Sequence, residues 1–142
     1  MTLRMMEYWR RKLPDYETTV VLMAIISIGA GRIADAPVAD ALKDLNNKLP
    51  TDQLAKCNFS SVAAATNLDR QTVKRKVDRL VELGLVERVD RDNVRVEPSV
   101  GQRPFVGELA TAHANAICST TNTLIRDGIL RLTTQQFRAS AA

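Results

Sequence analysis

Arg70, Gln71, Lys74 and Arg75 stand at i, i+1, i+4 and i+5, so a helix through them would show all four on one face. Their side chains are hydrogen-bond donors of the kind that read base edges in duplex DNA. Arg and Lys match guanine O6 and N7, and Gln matches adenine N6 and N7. Thr72, Lys76 and Arg79 lie in the same run and suit phosphate oxygens, which fix position without carrying sequence information. Ser60 and Ser61 fall where an earlier helix should begin, and a helix N-terminus can hold a phosphate. Arg91 falls at the tip of an expected hairpin, within reach of a minor groove or a phosphate backbone. Most helical charges only solvate an exposed face. Here basic residues concentrate on the one face this pattern presents, which favours contact with a nucleic acid.

Composition excludes several other chemistries. Among 142 residues there is one histidine, His113, and there are two cysteines, Cys57 and Cys118. These are too few for a metal site or a disulfide framework. The chain shows no paired catalytic carboxylates, no nucleophile–base couple and no phosphate-cradling glycine loop. A binding protein is therefore expected, not an enzyme, with no catalytic residue, metal or cofactor. Neither thiol has a basic run beside it, so both are expected to be reduced and inert. His113 is expected to be packed and satisfied, in preference to a ligand or pH-sensing role. A net charge of +4 accommodates a polyanionic partner, and Arg10, Arg11 and Lys12 form a second basic cluster. With aromatics at 4%, a stacking platform for single-stranded nucleic acid is not expected.

The elements that must position these residues follow from local signals. Residues 1–13 predict a short helix or an arm, with Tyr8 and Trp9 packing on the fold itself. Asp15 can cap a helix from 16 to about 32. That helix is apolar nearly all round through Val20, Val21, Leu22, Met23, Ile25, Ile26 and Ile28, so a second chain is its expected cover. Gly29 and Gly31 should weaken its last turn. The same run, ahead of Ala34, Asp35 and Ala36, has the outline of an export signal, but Glu7, Asp15 and Glu17 precede it. It is also short for a bilayer span, so a cytoplasmic location away from membranes is expected.

Pro37 opens a further helix through Val38, Ala41, Leu42, Leu45 and Leu49, which Pro50 stops. Thr51 can cap a short helix to about residue 57. Ser60 should cap the next, with Phe59 as a hydrophobic staple, and Asn67 tolerates the left-handed turn that ends it. Asp69 then caps the helix with the basic face, whose buried stripe is Val73, Val77, Leu80 and Leu83, and Gly84 supplies its left-handed C-terminal cap. Val86, Val89, Val94 and Val96 flank a polar tip at residues 90–93, a hairpin with a loop of about four residues. Residues 98–104 read as a linker. A helix from 105 to about 127 carries Phe105, Leu109, Ala112, Ala116, Ile117 and Leu124, residues 129–137 form a last short helix, and 139–142 fray.

Thr72 and Val73, with Val77, Asp78, Arg79 and Leu80, then Gly84, Leu85, Val86, Glu87 and Arg88, form a pattern that resembles the MarR (multiple antibiotic resistance regulator) family. The match is carried by residues 59–98, and the flanks agree in layout. Asn67 stands where that family usually has Gly, Thr66 replaces the usual Leu, and the hairpin is shorter than typical. The resemblance implies a mainly α fold with a small β-hairpin wing, a winged helix-turn-helix with flanking dimerisation helices. It implies one domain, with N-terminal dimerisation and support helices at 15–57, the winged helix-turn-helix at 58–98 and a C-terminal dimerisation helix and tail at 104–138. The implied function is sequence-specific binding of double-stranded DNA by a transcriptional regulator, a repressor acting as a homodimer on a pseudo-palindromic site. The implied partners are double-stranded DNA, a second copy and a small-molecule effector, although no residue pattern marks an effector site. Two other readings fit the residues: a winged-helix protein–protein adaptor that binds no DNA, and a replication- or partition-associated DNA binder.

Overall fold

The computed structural model describes residues 2–34 and 51–131. Over these residues the chain is mainly helical, with a small three-stranded antiparallel sheet. Helix α1 (Thr2–Lys12) buries Trp9 against the fold, and Leu13 follows it inward. The Tyr8 hydroxyl donates to Glu108 Oε2 at 3.1 Å, so the N-terminal segment is a docked helix and not an arm. The chain then turns through 105° into α2 (Tyr16–Ala34). Asp15 caps α2 as expected: its Oδ1 accepts the Thr18 N–H at 2.8 Å and its Oδ2 accepts the Thr18 hydroxyl at 3.0 Å.

Helix α2 crosses the middle of the molecule. Val21, Leu22 and Ile25 are buried on it beneath α3 (Phe59–Thr66), α4 (Arg70–Glu82) and the sheet, with α1 on a further side. The chain itself thus covers Val21, Leu22 and Ile25, because these elements approach α2 from different directions, while Val20, Met23, Ile26 and Ile28 on the same helix are only partly buried. The buried hydroxyls of Thr18 and Thr19 are satisfied by Asp15, through its side chain and its carbonyl respectively. Gly29 does not fray the helix. Its carbonyl accepts the Ala55 N–H at 3.0 Å, and a Cβ there would stand 2.9 Å from the Ala55 carbonyl oxygen. The missing side chain lets the segment leading into the sheet lie directly on the helix.

The helix expected through Val38 and Leu49 lies outside the described residues. After it come a 3-10 turn at Thr51–Gln53 and strand β1 (Cys57–Asn58). Strands β2 (Val86–Arg88) and β3 (Asn93–Val96) form the expected hairpin around residues 89–92. Strand β1 adds an unexpected third member, giving the order β1-β3-β2, with Cys57 opposite Val94 and Asn58 opposite Asn93. The inner residues Cys57, Val86, Val94 and Val96 join the core under α2.

Residues 98–104 are packed and do not form a free linker. The Thr51 hydroxyl donates to the Pro98 carbonyl at 2.7 Å and accepts the Gly101 N–H at 3.0 Å, and Val100 and Gly101 are buried in a 3-10 turn. Helix α5 (Pro104–Arg126) starts with Pro in its first turn. Its first half lies on α1 and the core through Leu109, while Ile117 on the far half is 52% exposed. The chain leaves α5 through Gly128 at φ +73°, and residues 129–131 are not helical. The rest of the expected last helix and the tail at 139–142 lie outside the described residues. Among the described residues no single helix is long and apolar enough to cross a membrane.

Candidate nucleic-acid interface

Helices α3 and α4 are set by their caps. Asn58 leaves β1 with extended backbone (φ −93°, ψ 158°), and its Oδ1 accepts the Ser61 N–H at 2.7 Å. Asn58 is therefore the N-cap expected of Ser60, which is already inside the helix. Phe59 is buried in the first turn, and the Arg88 guanidinium sits 5.2 Å over its ring centroid. Ser60 and Ser61 are exposed there, with the Ser61 N–H already used by the cap. The turn between the helices passes through Asn67 at φ 55°, ψ 28°, the left-handed conformation that Asn tolerates better than most residues. Asp69 caps α4 by accepting the Thr72 N–H at 2.9 Å, and its hydrogen bonds to Thr72 hold its carboxyl below the usual range. Thr72 is half-buried and serves this cap.

The two faces of α4 differ sharply. Val73, Val77 and Leu80 are fully buried against α2 and α3, as their spacing predicts. Gln71 and Arg75 are exposed on the opposite side, and Arg70, Lys74 and Arg79 are exposed on the flanks. The first turns of α4 and the hairpin tip enclose a cleft of about 330 Å³, lined by Phe59, Arg70, Gln71, Lys74, Arg91 and Asp92. Four of the residues singled out in the sequence thus meet around one cleft, and Arg75 and Arg79 continue the face away from it. Arg70 is paired with Asp92 at 2.6 Å and Arg79 with Glu82 at 2.6 Å. Among the described residues, Lys74, Arg75 and Arg91 have no acidic partner.

Lys76 departs from its expected place beside a phosphate. It is three residues after Val73 and four before Leu80, so it flanks the buried stripe. Its side chain is 13% exposed, and its Nζ lies 2.9 Å from both Asp15 Oδ1 and Glu17 Oε2 at the start of α2. Burial alone would lower its pKa, but its hydrogen bonds to the two carboxylates outweigh that and hold it above its ordinary value. Burial likewise pushes Asp15 up, and the Thr18 and Lys76 hydrogen bonds overcome it to hold the carboxyl below its ordinary value. Lys76 fastens α4 to α2 on the side away from the basic face.

Several structural charges were not found from the sequence. Arg88 pairs with Asp78 and fixes the hairpin to α4, Arg95 pairs with Glu87 across the two strands, and Lys56 reaches Asp90 at 3.6 Å. Arg103 donates from Nη2 to the Gly84 carbonyl at 2.7 Å and from Nη1 to the Leu83 carbonyl at 3.4 Å, satisfying the C-terminal end of α4. The cross-strand pair is at least consistent with strand pairing, but the others join residues whose proximity only the fold creates. Comparisons with known protein families, with curated protein sequences and with solved structures find no match to this chain.

Proposed function

We propose that this chain is a winged helix-turn-helix regulator of transcription that binds double-stranded DNA in a sequence-specific way. Helix α4 serves as the recognition helix and the β2–β3 hairpin as the wing. The observation that carries this reading is the disposition of α4. Its apolar side is anchored, while Gln71 and Lys74 stay exposed beside Arg91 with Arg75 further along the helix, and among the described residues no carboxylate pairs with Lys74, Arg75 or Arg91. Such a helix can enter a major groove while the hairpin touches the flanking backbone. The MarR-like pattern at residues 59–98 points the same way and adds repression by occlusion, in the cytoplasm, by a homodimer on a pseudo-palindrome. The exposed far half of α5, with Ile117, is the better candidate for the dimer contact, because Val21, Leu22 and Ile25 of α2 are already buried within the chain.

Selection from a randomised duplex library, followed by anisotropy titrations at several salt concentrations, tests this. A pseudo-palindromic motif should be enriched, and the logarithm of affinity should fall linearly with the logarithm of salt as counterions are released. Absent DNA binding, or binding without salt dependence, would overturn the proposal and favour a protein–protein adaptor. A motif confined to a replication or partition locus would retain the chemistry and move the biological role there.

A further inference from the structure

Arg70 and Asp92 both line the cleft between α4 and the hairpin tip, and they form an ion pair from helix to hairpin, with Nη2 2.6 Å from Oδ1. Their side chains are 57% and 54% exposed. A pair so open to water adds little to stability. Its placement is nevertheless well fixed. Arg70 is the first residue of α4, directly after the Asp69 cap. The Asp92 carbonyl accepts the Phe59 N–H at 3.1 Å, and the Asp92 N–H donates to Asp90 Oδ1 at 3.0 Å. Phe59 is buried, so the backbone of Asp92 is tied to the core while its carboxylate stands in solvent.

The pair changes what Arg70 can recognise. A bare cation is attracted to every phosphate, whatever the sequence. Lys74, Arg75 and Arg91 are of that kind, with no acidic partner among the described residues. The charge of Arg70 is offset by Asp92, so a phosphate gains little from it. Its fork is not used up. Asp92 Oδ1 takes an N–H of Nη2, and among the described residues the other donors of the planar guanidinium stay free. Two parallel donors match O6 and N7 of guanine, a neutral pair of acceptors that depends on direction more than on net charge. A carboxylate anchored beside the guanidinium limits the directions it can take. We propose that Asp92 is a specificity-determining residue that acts through Arg70: it aims Arg70 at a guanine in the major groove and withholds it from phosphates. This rests on the reading of the chain as a DNA-binding protein. Specificity is a difference of affinities, and here part of it comes from weakening the wrong contact.

The test uses the full chain and two probes, the duplex enriched from the randomised library and a scrambled duplex of equal length and composition. Asp92→Asn should bind the scrambled duplex more tightly, with a salt slope steeper by about one. Its ratio of enriched to scrambled affinity should fall about tenfold. Arg70→Lys keeps the charge and loses the fork, and its ratio should fall as far. Guanine analogues that lack N7, placed one at a time in the enriched duplex, should reveal a position that matters to the unaltered chain and not to Arg70→Lys. An unchanged ratio in either variant, or equal weakening of Asp92→Asn on both duplexes, would overturn the proposal and leave DNA binding standing. An unaltered chain that binds neither duplex would remove the DNA-binding reading and this inference together. Arg70→Lys is an exposed change and decides the matter even where Asp92→Asn fails to fold.

Discussion

Lys74 and Lys76 are two residues apart on one helix and have opposite surroundings. Lys74 is exposed beside the cleft and has no acidic partner among the described residues. Lys76 is nearly buried and locked between Asp15 and Glu17. Residue type and clustering do not separate them; helical phase does. Residue 74 sits on one flank of the stripe of Val73, Val77 and Leu80, toward the hairpin cleft, whereas residue 76 sits on the other flank, against the start of α2. A basic cluster on a helix therefore divides into a part that can meet a partner and a part that holds the helix in place.

The largest expected effect comes from attacking the inner face. Val77→Asp or Ile25→Asp buries an unpaired carboxylate where the native residue is fully buried, and should cost roughly 3–5 kcal/mol of stability. Thermal melts followed by circular dichroism should show loss of cooperative folding; a wild-type melting temperature would mean that this face is not the core seam. On the outer face, Lys74→Ala and Arg75→Ala should each weaken specific DNA binding by about 1–3 kcal/mol. Their effect on stability should stay within about 0.5 kcal/mol. Unchanged DNA affinity in a folded Lys74→Ala/Arg75→Ala double variant would break the division from the outer side.

Lys76→Met should do the reverse, with DNA affinity per folded molecule retained and stability lowered by about 1 kcal/mol or less. The loss is small because Asp15 and Glu17 are 43% and 53% exposed and water screens them. This difference should depend on pH. The folded pKa of Asp15 is depressed, so its contribution is present above its unfolded value and is lost as pH falls through the folded one. The folded pKa of Lys76 is raised, so its contribution is present below the ordinary lysine value and is lost as pH rises through the folded one. Denaturant titrations should therefore bring the unaltered chain and Lys76→Met together at both extremes. A difference independent of pH would show that the pair does not act through its charges.

The smallest expected effect concerns the thiols. Cys57 is buried opposite Val94, and burial pushes its thiol up to about 11, which makes it a poor nucleophile at neutral pH. Cys118 is exposed on the far half of α5. Cys57→Ser and Cys118→Ser should bind DNA like the unaltered chain, and mild peroxide should not release it. Peroxide-driven release that disappears in one variant would make that thiol a switch.

Residues 59–98 were legible because their signals are local. The Asp69 cap, a left-handed Asn, a valine stripe at helical spacing and a Gly at φ +66° are all readable within a few positions. Strand β1 was not, since two residues become a strand only by pairing with β3 far along the chain. The burial of α2 was legible, but the identity of its cover was not, because that depends on the directions from which α3, α4 and the sheet arrive. Residues 98–104 look like a linker by composition and are held by Thr51, a long-range bond that no local pattern encodes. Of the candidate interface, the exposed cations were readable, while the inward turn of Lys76 and the cap at Asn58 required the fold. Nothing in the sequence pointed to the buried nitrogens of Trp9 and His113, unpartnered among the described residues, or to the edge-on contact of the two rings.

Arg103 has a mechanical consequence. Its backbone begins α5, and its guanidinium grips the last carbonyls of α4, so the joint between the two helices is pinned by charge-assisted hydrogen bonds. A tilt of α5 is then passed to the far end of α4 as through a crank, without the slack of a hinge. If two copies join through α5, the distance between their α4 helices becomes a stiff dimension of the assembly. A DNA site lengthened by a base pair at its centre would have to twist to suit the protein.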